Sequence, residues 1–181
     1  VFNGGGILIG LIGIMLSKML ADKYGKRNVF GASLFVSTLF IILFYFYPPQ
    51  SVGLMFGSQI LHMFFYGIST PILWTMIADV ADYSEWKNNR RATAIIFSAM
   101  MVGLKGGLSI GSSLLTLILG IFNYQPKTDL AQSAETINGI KMLVSIFPAI
   151  PFLIAVGLLA FYEINKKMEL QLEADLKERR K

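Results

Sequence analysis

Five apolar segments, each long enough to cross a lipid bilayer, limit how this chain can fold. They span residues 2–20, 29–47, 52–77, 92–122 and 137–162. A helix rises about 1.5 Å per residue, so about 20 apolar residues cross a hydrocarbon core about 30 Å thick. Because lipid offers no hydrogen bonds, each segment must satisfy its own backbone as a helix. The sequence therefore predicts an all-α, polytopic membrane bundle of five transmembrane helices.

The composition favours a membrane protein over a soluble one. Hydrophobic residues make up 54% of the chain and charged residues 15%, whereas soluble domains carry about 25% charged residues. The net charge of +5 comes from short basic clusters between the apolar segments, which suit anionic lipid headgroups better than a nucleic-acid groove. The chain has no cysteine and one histidine, His62. We therefore expect no metal site, no cofactor and no nucleic-acid partner.

Basic residues between the segments predict the orientation in the membrane. Lysine and arginine gather after the first and third segments and in the C-terminal tail, whereas the turn after the second segment has neither. By the positive-inside rule, the chain begins outside the cell membrane and its C-terminus is cytoplasmic. An odd number of helices in this orientation is what the loss of the front of a larger transporter would leave. We expect a bundle over residues 1–165 and a cytoplasmic tail, helical or frayed, over residues 166–181.

The fourth segment carries a charge at the depth of the bilayer core. Lys105 lies more than a dozen residues from either end of the segment, where an unpaired charge costs about 2.5–3.5 kcal/mol. Polar and flexible side chains share its side of the helix and predict a wall that faces water or substrate: Ser98, Met101, Ser109 and Ser112. Gly103, Gly107 and Gly111 on the opposite side predict close approach of a neighbouring helix. The alternative is a Lys105 whose ammonium group reaches the membrane interface.

The third segment carries a second polar stripe. It combines amide, imidazole, phenol, hydroxyl and indole groups, namely Gln59, His62, Tyr66, Thr70 and Trp74. Such groups hydrogen-bond sugar hydroxyls and stack on the C–H face of a pyranose, so they are candidates for a sugar site. The alternative is ordinary hydrogen bonding between helices, with His62 a packing residue.

Prolines and glycines predict local features of three helices. Pro71 could break the third helix, and a kink is expected at Pro148 and Pro151 in the fifth. The first segment presents a stripe of small residues, which predicts a packing or sliding surface: Gly6, Gly10, Gly13 and Ser17.

The connection over residues 77–93 mixes charges of both signs, on Asp79, Asp82, Glu85, Lys87, Arg90 and Arg91. Mixed charge at a helix end is typical of a solvated loop, where each pair contributes little. It also suits a charge-pair gate that breaks when a cavity opens inward. The sequence contains no phosphate-binding glycine loop, nucleophile elbow or paired carboxylates of the kind enzymes use, so we do not expect an enzyme.

Two runs resemble a known transporter family. They are Gly67 to Thr93 (GISTPILWTMIADVADYSEWKNNRRAT) and Ile95 to Gly111 (IIFSAMMVGLKGGLSIG). Both resemble the glycoside–pentoside–hexuronide:cation symporters, a branch of the major facilitator superfamily. The ADxxDYxEWK block together with an intramembrane lysine is the specific part. The resemblance covers essentially the whole chain, matches it to the eighth to twelfth helices of the family and so implies the C-terminal half of a major facilitator fold.

The resemblance also implies a function. It implies symport of a glycoside, pentoside or hexuronide with Na⁺ or H⁺ by alternating access, together with the N-terminal half of the same transporter. Lys105 matches the family's lysine at the cation and sugar site. A cytoplasmic gate is implied at two connections, one of them the run Leu20 to Arg27 (LADKYGKR), which resembles the superfamily's loop motif but has Lys18 in place of glycine. The implied gate residues are Asp22, Lys23, Arg27, Asp79, Asp82, Glu85, Arg90 and Arg91.

Two other functions remain open. One is a carrier of lysolipids or other amphiphiles, which a wide apolar gap between segments would favour. The other is a membrane protein that does not transport, such as a sensor or an inactive half-length remnant. Met100 and Met101 depart from the residues that precede the lysine in α-galactoside carriers of the family, so a different glycoside is expected.

Overall fold

Helices account for nearly all of the structure. The computed structural model describes residues 2–48, 50–126 and 132–179. Its α-helices are α1 (Phe2–Tyr24), α2 (Lys26–Phe46), α3 (Val52–Asn88), α4 (Thr93–Ile121), α5 (Ala134–Val144), α6 (Ile146–Leu158) and α7 (Lys166–Arg179). Five stretches are long and apolar enough to span a membrane, namely α1, α2, α3, α4 and the α5–α6 pair. The predicted all-α bundle with five spans is confirmed.

The third helix is longer than its apolar segment. α3 has 37 residues, passes through Pro71 without a break and ends only at Asn88, where Asn89 adopts a left-handed φ of 52°. The expectations of a break at Pro71 and of a loop from residue 77 were therefore wrong. The acidic residues of the predicted gate lie on a helix, and the surrounding packing buries Ala81 in the same stretch to 1% exposure. Helix continuity thus places Asp79 and Asp82 almost one turn apart.

The fifth span is interrupted where a proline predicts it. Pro148 has no N–H for the carbonyl of Val144, four residues earlier, and α5 ends at Val144. The hydroxyl of Ser145 donates to the Lys141 carbonyl at 2.5 Å, and α6 starts at Ile146. The predicted interruption is confirmed near Pro148, where the span divides into α5 and α6, whereas α6 continues through Pro151 without a break.

The core lies between α2 and α3, with α1 and α6 packed beside it. Its buried apolar side chains are Val29, Phe30, Leu34, Ile68, Ile72 and Met76. The small-residue stripe of α1 packs on α3, as predicted: a Cβ placed on Gly10 would lie 3.3 Å from the Met63 carbonyl oxygen. Ser17 of the same stripe is 5% exposed.

α4 packs differently from the other spans. None of its residues is buried. A Cβ placed on Gly103, Gly107 or Gly111 would meet no atom within 4 Å in the described part of the chain. The close neighbour predicted for this glycine face is therefore not among the described residues. Both faces of α4 are open to whatever surrounds the chain in the membrane.

Candidate functional site

The lysine of α4 lies deep in a membrane span. Lys105 is exposed, and the described residues include no ion-pair or hydrogen-bond partner for its side chain. It lies about 18 Å from the start of α4 and about 24 Å from its end, at about 1.5 Å per residue. This depth disfavours the alternative in which its ammonium group reaches the interface, because a lysine side chain spans only a few bonds.

The predicted neighbours of Lys105 are exposed with it. Ser98, Met101, Ser109 and Ser112 all lie on the open surface of α4. The Ser112 hydroxyl donates to the carbonyl of Leu108 at 2.7 Å, within its own helix. This bond occupies the donor of Ser112 but leaves its oxygen lone pairs available. α4 therefore offers one ammonium group and several hydroxyl oxygens along one face.

The polar stripe of α3 does not point in one direction. His62 is buried at 9% exposure, facing α2, and its Nδ1 lies 2.7 Å from the hydroxyl of Ser37, itself fully buried. Ser37 also donates to the His62 carbonyl at 3.2 Å. Gln59 instead lies beside α1, with its Cγ 3.8 Å from a Cβ placed on Gly6. These contacts favour the alternative in which His62 is a packing residue.

The aromatic members of the stripe remain accessible. Tyr66 is 40% exposed and Trp74 is 41% exposed. The Tyr66 ring stacks on His62 with centroids 5.8 Å apart and lies 6.0 Å from the ring of Phe152 in α6. The Thr70 hydroxyl donates to the Tyr66 carbonyl at 3.0 Å. Tyr66 is thus held on two sides while part of its ring stays free for a ligand.

The charged connections gather at one end of the bundle, called here the basic end: the α1–α2 and α3–α4 turns together with α7. Lys26, the first residue of α2, donates to both carboxylate oxygens of Asp79 at 2.8 Å. Its ammonium group also lies 2.8 Å from Oε1 of Glu169 in α7. The three side chains are only 16–27% exposed. One cation is therefore shared by two carboxylates in a partly dehydrated setting.

A second, more exposed group of charges joins α3 to the start of α4. Arg91 lies 3.4 Å from Asp82 and 3.7 Å from Glu85, and its own side chain is 53% exposed. It also donates to the Thr93 hydroxyl at 3.1 Å. The predicted gate residues are thus divided between two clusters rather than gathered in one.

The other predicted gate residues contribute less directly. Arg27 donates to the carbonyl of Ala160 at 3.4 Å. The Lys23 ammonium lies 5.1 Å from the centroid of the Tyr24 ring. Asp22 is exposed and uses its backbone carbonyl to bind Lys166. The Arg90 carbonyl accepts a hydrogen bond from Ser84 at 3.2 Å.

Several residues of the basic end were not predicted from the sequence. Lys26 pairs with both Asp79 and Glu169 in the more buried of the two charge clusters. Trp86 donates its indole N–H to Asp175 at 2.8 Å. The available signal was the tail itself, where Leu172 and Leu176 lie one turn apart beside Glu169. Such spacing predicts an amphipathic helix that packs on the bundle. Within the described ranges, no group of three or more metal-ligating side chains is placed to hold an ion.

Comparison with known proteins supplies the family. A family model described as MFS/sugar transport protein matches residues 1–166. The Escherichia coli protein named "putative glycoside/cation symporter YagG" is 28% identical over 169 residues, which cover 93% of this chain and 36% of YagG. The inner membrane symporter YicJ of the same organism is 33% identical over 145 residues, which cover 80% of the chain and 31% of YicJ.

A third relative comes from another bacterium. The isoprimeverose transporter of Lactiplantibacillus pentosus is 29% identical over 173 residues, which cover 95% of this chain and 36% of the transporter. The chain therefore spans about a third of the length of these curated relatives. With its five apolar helices it is an integral, multi-pass membrane protein, and it belongs to the MFS/sugar transport protein family, in the glycoside–pentoside–hexuronide:cation symporter branch.

Proposed function

We propose that this chain forms part of a secondary transporter that couples the movement of a glycoside, pentoside or hexuronide to a Na⁺ or H⁺ gradient. The proposal places it in the cell membrane with the basic end in the cytoplasm, because lysine and arginine concentrate there. The family and the relatives named as symporters support transport of this kind. The remainder of such a transporter would complete the substrate path.

The observation that carries the proposal is the position of Lys105. An ammonium group about 18 Å along a 29-residue apolar helix cannot be left in lipid without a large cost. No described residue neutralises it, so it must face water, a substrate or a carboxylate from another segment. A charge in this position is typical of a transport pathway and has no use in a purely structural membrane anchor.

The roles of the surrounding groups follow from their exposure. Lys105 would attract hydroxyl or carboxylate oxygens of the substrate and repel the coupling cation, so that the two ligands influence each other. Tyr66 and Trp74 expose aromatic faces on which a pyranose could stack. His62, held by Ser37, would support the Tyr66 ring from behind without touching the substrate.

The second charged cluster suits a closure that opens repeatedly. The Arg91 side chain is half exposed, and exposed ion pairs contribute only about 0.2–1 kcal/mol each. Pairs of this strength between Arg91 and the acids Asp82 and Glu85 could separate and reform during alternating access. We propose that they help close the basic end of the bundle.

Uptake measurements on the full-length protein test the proposal. Membrane vesicles containing it are given a panel of labelled glycosides, with and without an imposed Na⁺ or H⁺ gradient. We expect accumulation of one substrate only under a gradient, and loss of that accumulation in Lys105→Ala. The matched control is Leu104→Ala, which shortens the adjacent α4 side chain without removing a charge. Equal uptake by the Lys105→Ala variant would refute the role of Lys105.

The same assay separates the two other candidates. The apolar surface of α4, where Val102 is 72% and Leu108 is 66% exposed, is the observation that favours an amphiphile carrier. Gradient-independent movement of a labelled lysolipid, with no sugar accumulation, would support that carrier. No transport of either class, with insertion verified, would support a protein that does not transport.

A further inference from the structure

The last helix, α7, lies across the basic end of the bundle and binds three other helices there. It has 14 residues, and its Leu172 and Leu176 are only 4% and 3% exposed. Burial of both leucines on one side of the helix shows that α7 is packed on the bundle and is not a frayed tail. Its polar contacts with α1 and α2 come from its first turn, and those with α3 come from Asp175 and Arg179 toward its end.

The first residue of α7 caps the end of α1. The ammonium group of Lys166 donates to the carbonyls of Asp22 at 2.6 Å and of Lys23 at 2.9 Å. Carbonyls in the last turn of a helix have no partner within it, and the helix dipole favours a cation there. Gly25, with a φ of 86°, permits the approach, since a Cβ at that residue would lie 3.0 Å from the Cβ of Lys166.

The last described residue of α7 binds the end of α3. One guanidinium nitrogen of Arg179 donates to the Trp86 carbonyl at 3.1 Å and to the Asn89 side-chain oxygen at 3.0 Å. One turn earlier, Asp175 accepts a hydrogen bond from the Trp86 indole at 2.8 Å. α7 therefore binds the end of α3 through the backbone carbonyl of Trp86 and through the indole of the same residue.

The first turn of α7 also binds the start of α2. Glu169 lies 2.8 Å from the ammonium group of Lys26, which also binds Asp79 of α3. With Glu169 in place, Lys26 connects three helices, α2, α3 and α7. Since Lys26 is only 21% exposed, water offers little replacement for the second carboxylate.

We propose that α7 is a brace that joins the ends of α1, α2 and α3 into one moving unit, with Glu169 as the residue that positions Lys26 against Asp79. The described hydrogen bonds and ion pairs of α7 reach α1, α2 and α3 and do not reach α4. α4 and its Lys105 thus lie outside the braced unit, joined to α3 through the exposed Arg91 pairs, whose separation would let α4 change position relative to it. Only the consequence for transport rests on the proposed function.

Amide hydrogen exchange on the full-length protein tests the brace independently of transport. In Glu169→Gln we expect exchange to become about tenfold faster across residues 166–179 and at the braced ends of α1 and α3, because a charge-assisted bond is lost. Glu178→Gln is the matched control: Glu178 is on the same helix, exposed, and without an ion pair in the described part of the chain. Its exchange should match that of the unaltered protein.

Two further variants test the brace at its other contacts. Lys166→Met removes the cap on α1, which the same turn of α7 provides, and should accelerate the same amides, whereas Lys26→Arg keeps the cation and should preserve their protection. Unchanged exchange in both Glu169→Gln and Lys166→Met would overturn the brace. Faster exchange confined to α7, with the ends of α1 and α3 unchanged, would overturn it too, because a tail that is merely docked would behave in that way.

Vesicle uptake then tests the consequence for transport. Loss of the brace should lower the maximal rate of gradient-driven uptake several-fold and leave KM for the substrate unchanged, because the substrate groups lie on α3 and α4 away from α7. A rise in KM with an unchanged maximal rate would contradict the positioning role of Glu169. Absence of uptake even in the unaltered protein would reject the proposed function, while the exchange data would still decide the brace.

Discussion

The backbone of Gly67 in α3 lies directly against the backbone of Gly10 in α1, with no side chain between them. A Cβ placed on Gly67 would lie 2.9 Å from the carbonyl carbon of Gly10 and 3.0 Å from its Cα. The next turn repeats the contact, since a Cβ on Gly13 would lie 3.1 Å from the Ile68 nitrogen. In lipid, such close approach stabilises helix pairs through van der Waals contact, where a hydrophobic driving force is missing.

Gly67→Ala should therefore destabilise the bundle. The added methyl group meets backbone atoms that cannot rotate away, and overpacking of this kind costs about 1–3 kcal/mol. Gly57→Ala is the control in the same helix, because a Cβ there would meet no described atom within 4 Å. Thermal unfolding in detergent should show a lower midpoint for Gly67→Ala alone. Equal midpoints would mean that α1 and α3 can move apart at no cost.

Ser37→Ala should also lower stability. The change removes the hydroxyl that lies 2.7 Å from Nδ1 of the buried His62, while the Ser37 carbonyl at 3.2 Å stays as a partner, and loss of one buried hydrogen bond costs about 0.5–1.5 kcal/mol. Ser113→Ala is the control, since that exposed hydroxyl bonds only within α4. Detergent unfolding and substrate KM are measured together. If His62 is a packing residue, stability falls and KM does not; a change in KM without loss of stability would place His62 in the substrate site.

The two ion-pair clusters of the basic end should differ in strength. Lys26→Gln removes a charge from two carboxylates that are largely shielded from water, and we expect a loss of about 1.5–3 kcal/mol. Arg91→Gln removes an exposed guanidinium, and the expected loss is below about 1 kcal/mol. Unfolding at low and high salt checks the ranking, because screening should weaken the Arg91 contribution more. A larger loss of stability in Arg91→Gln than in Lys26→Gln would contradict the division into a partly buried and an exposed cluster.

Pro148→Ala should make α5 and α6 more continuous. The new N–H can reach the carbonyl of Val144, where α5 ends in the present structure. Amide exchange around residues 144–148 should then slow, and Pro151→Ala, inside α6, serves as the comparison. Unchanged exchange in Pro148→Ala would show that packing and not the proline maintains the break.

The phenol of Tyr162 should ionise at a higher pH than that of an ordinary tyrosine. Burial raises the pKa of its phenol above the usual value near 10, and the phenol donates to the Met76 carbonyl at 3.2 Å. Because the folded state holds this proton more tightly, the stabilisation is complete below about pH 10 and declines as the pH rises above it. Ultraviolet titration of the protein and of Tyr162→Phe measures the difference. If Tyr162→Phe loses a tyrosine titration step at the ordinary pH near 10, Tyr162 has an ordinary pKa and the prediction is contradicted.

Several features could be predicted from the sequence because a single segment determines them. The number of spans follows from the length of apolar runs, since the bilayer sets the same minimum for every helix. The break near Pro148 follows from a missing N–H, which is a property of one residue. The family could be recognised from the block around Asp79 and Lys105, which the match over residues 1–166 supports.

Other features depend on partners that are distant in the chain. The orientation of His62 toward Ser37 could not be predicted, because hydropathy does not distinguish a helix face that meets lipid from one that meets another helix. The same limit applies to Gly103, whose expected neighbour is not among the described residues. The length of α3 was underestimated because its charged end is held by contacts with α7 rather than by apolar character.

The sequence by itself determined that this is an all-helical membrane protein of the sugar-transport family, with a lysine deep in its fourth span. That much follows because the bilayer imposes one length and one backbone structure on every span. Only the tertiary structure decided that Lys26 is shared by Asp79 and Glu169, and that α7 binds α1, α2 and α3 together. Those choices depend on which charged side chains meet across more than fifty residues of chain, a distance over which local sequence patterns carry no information.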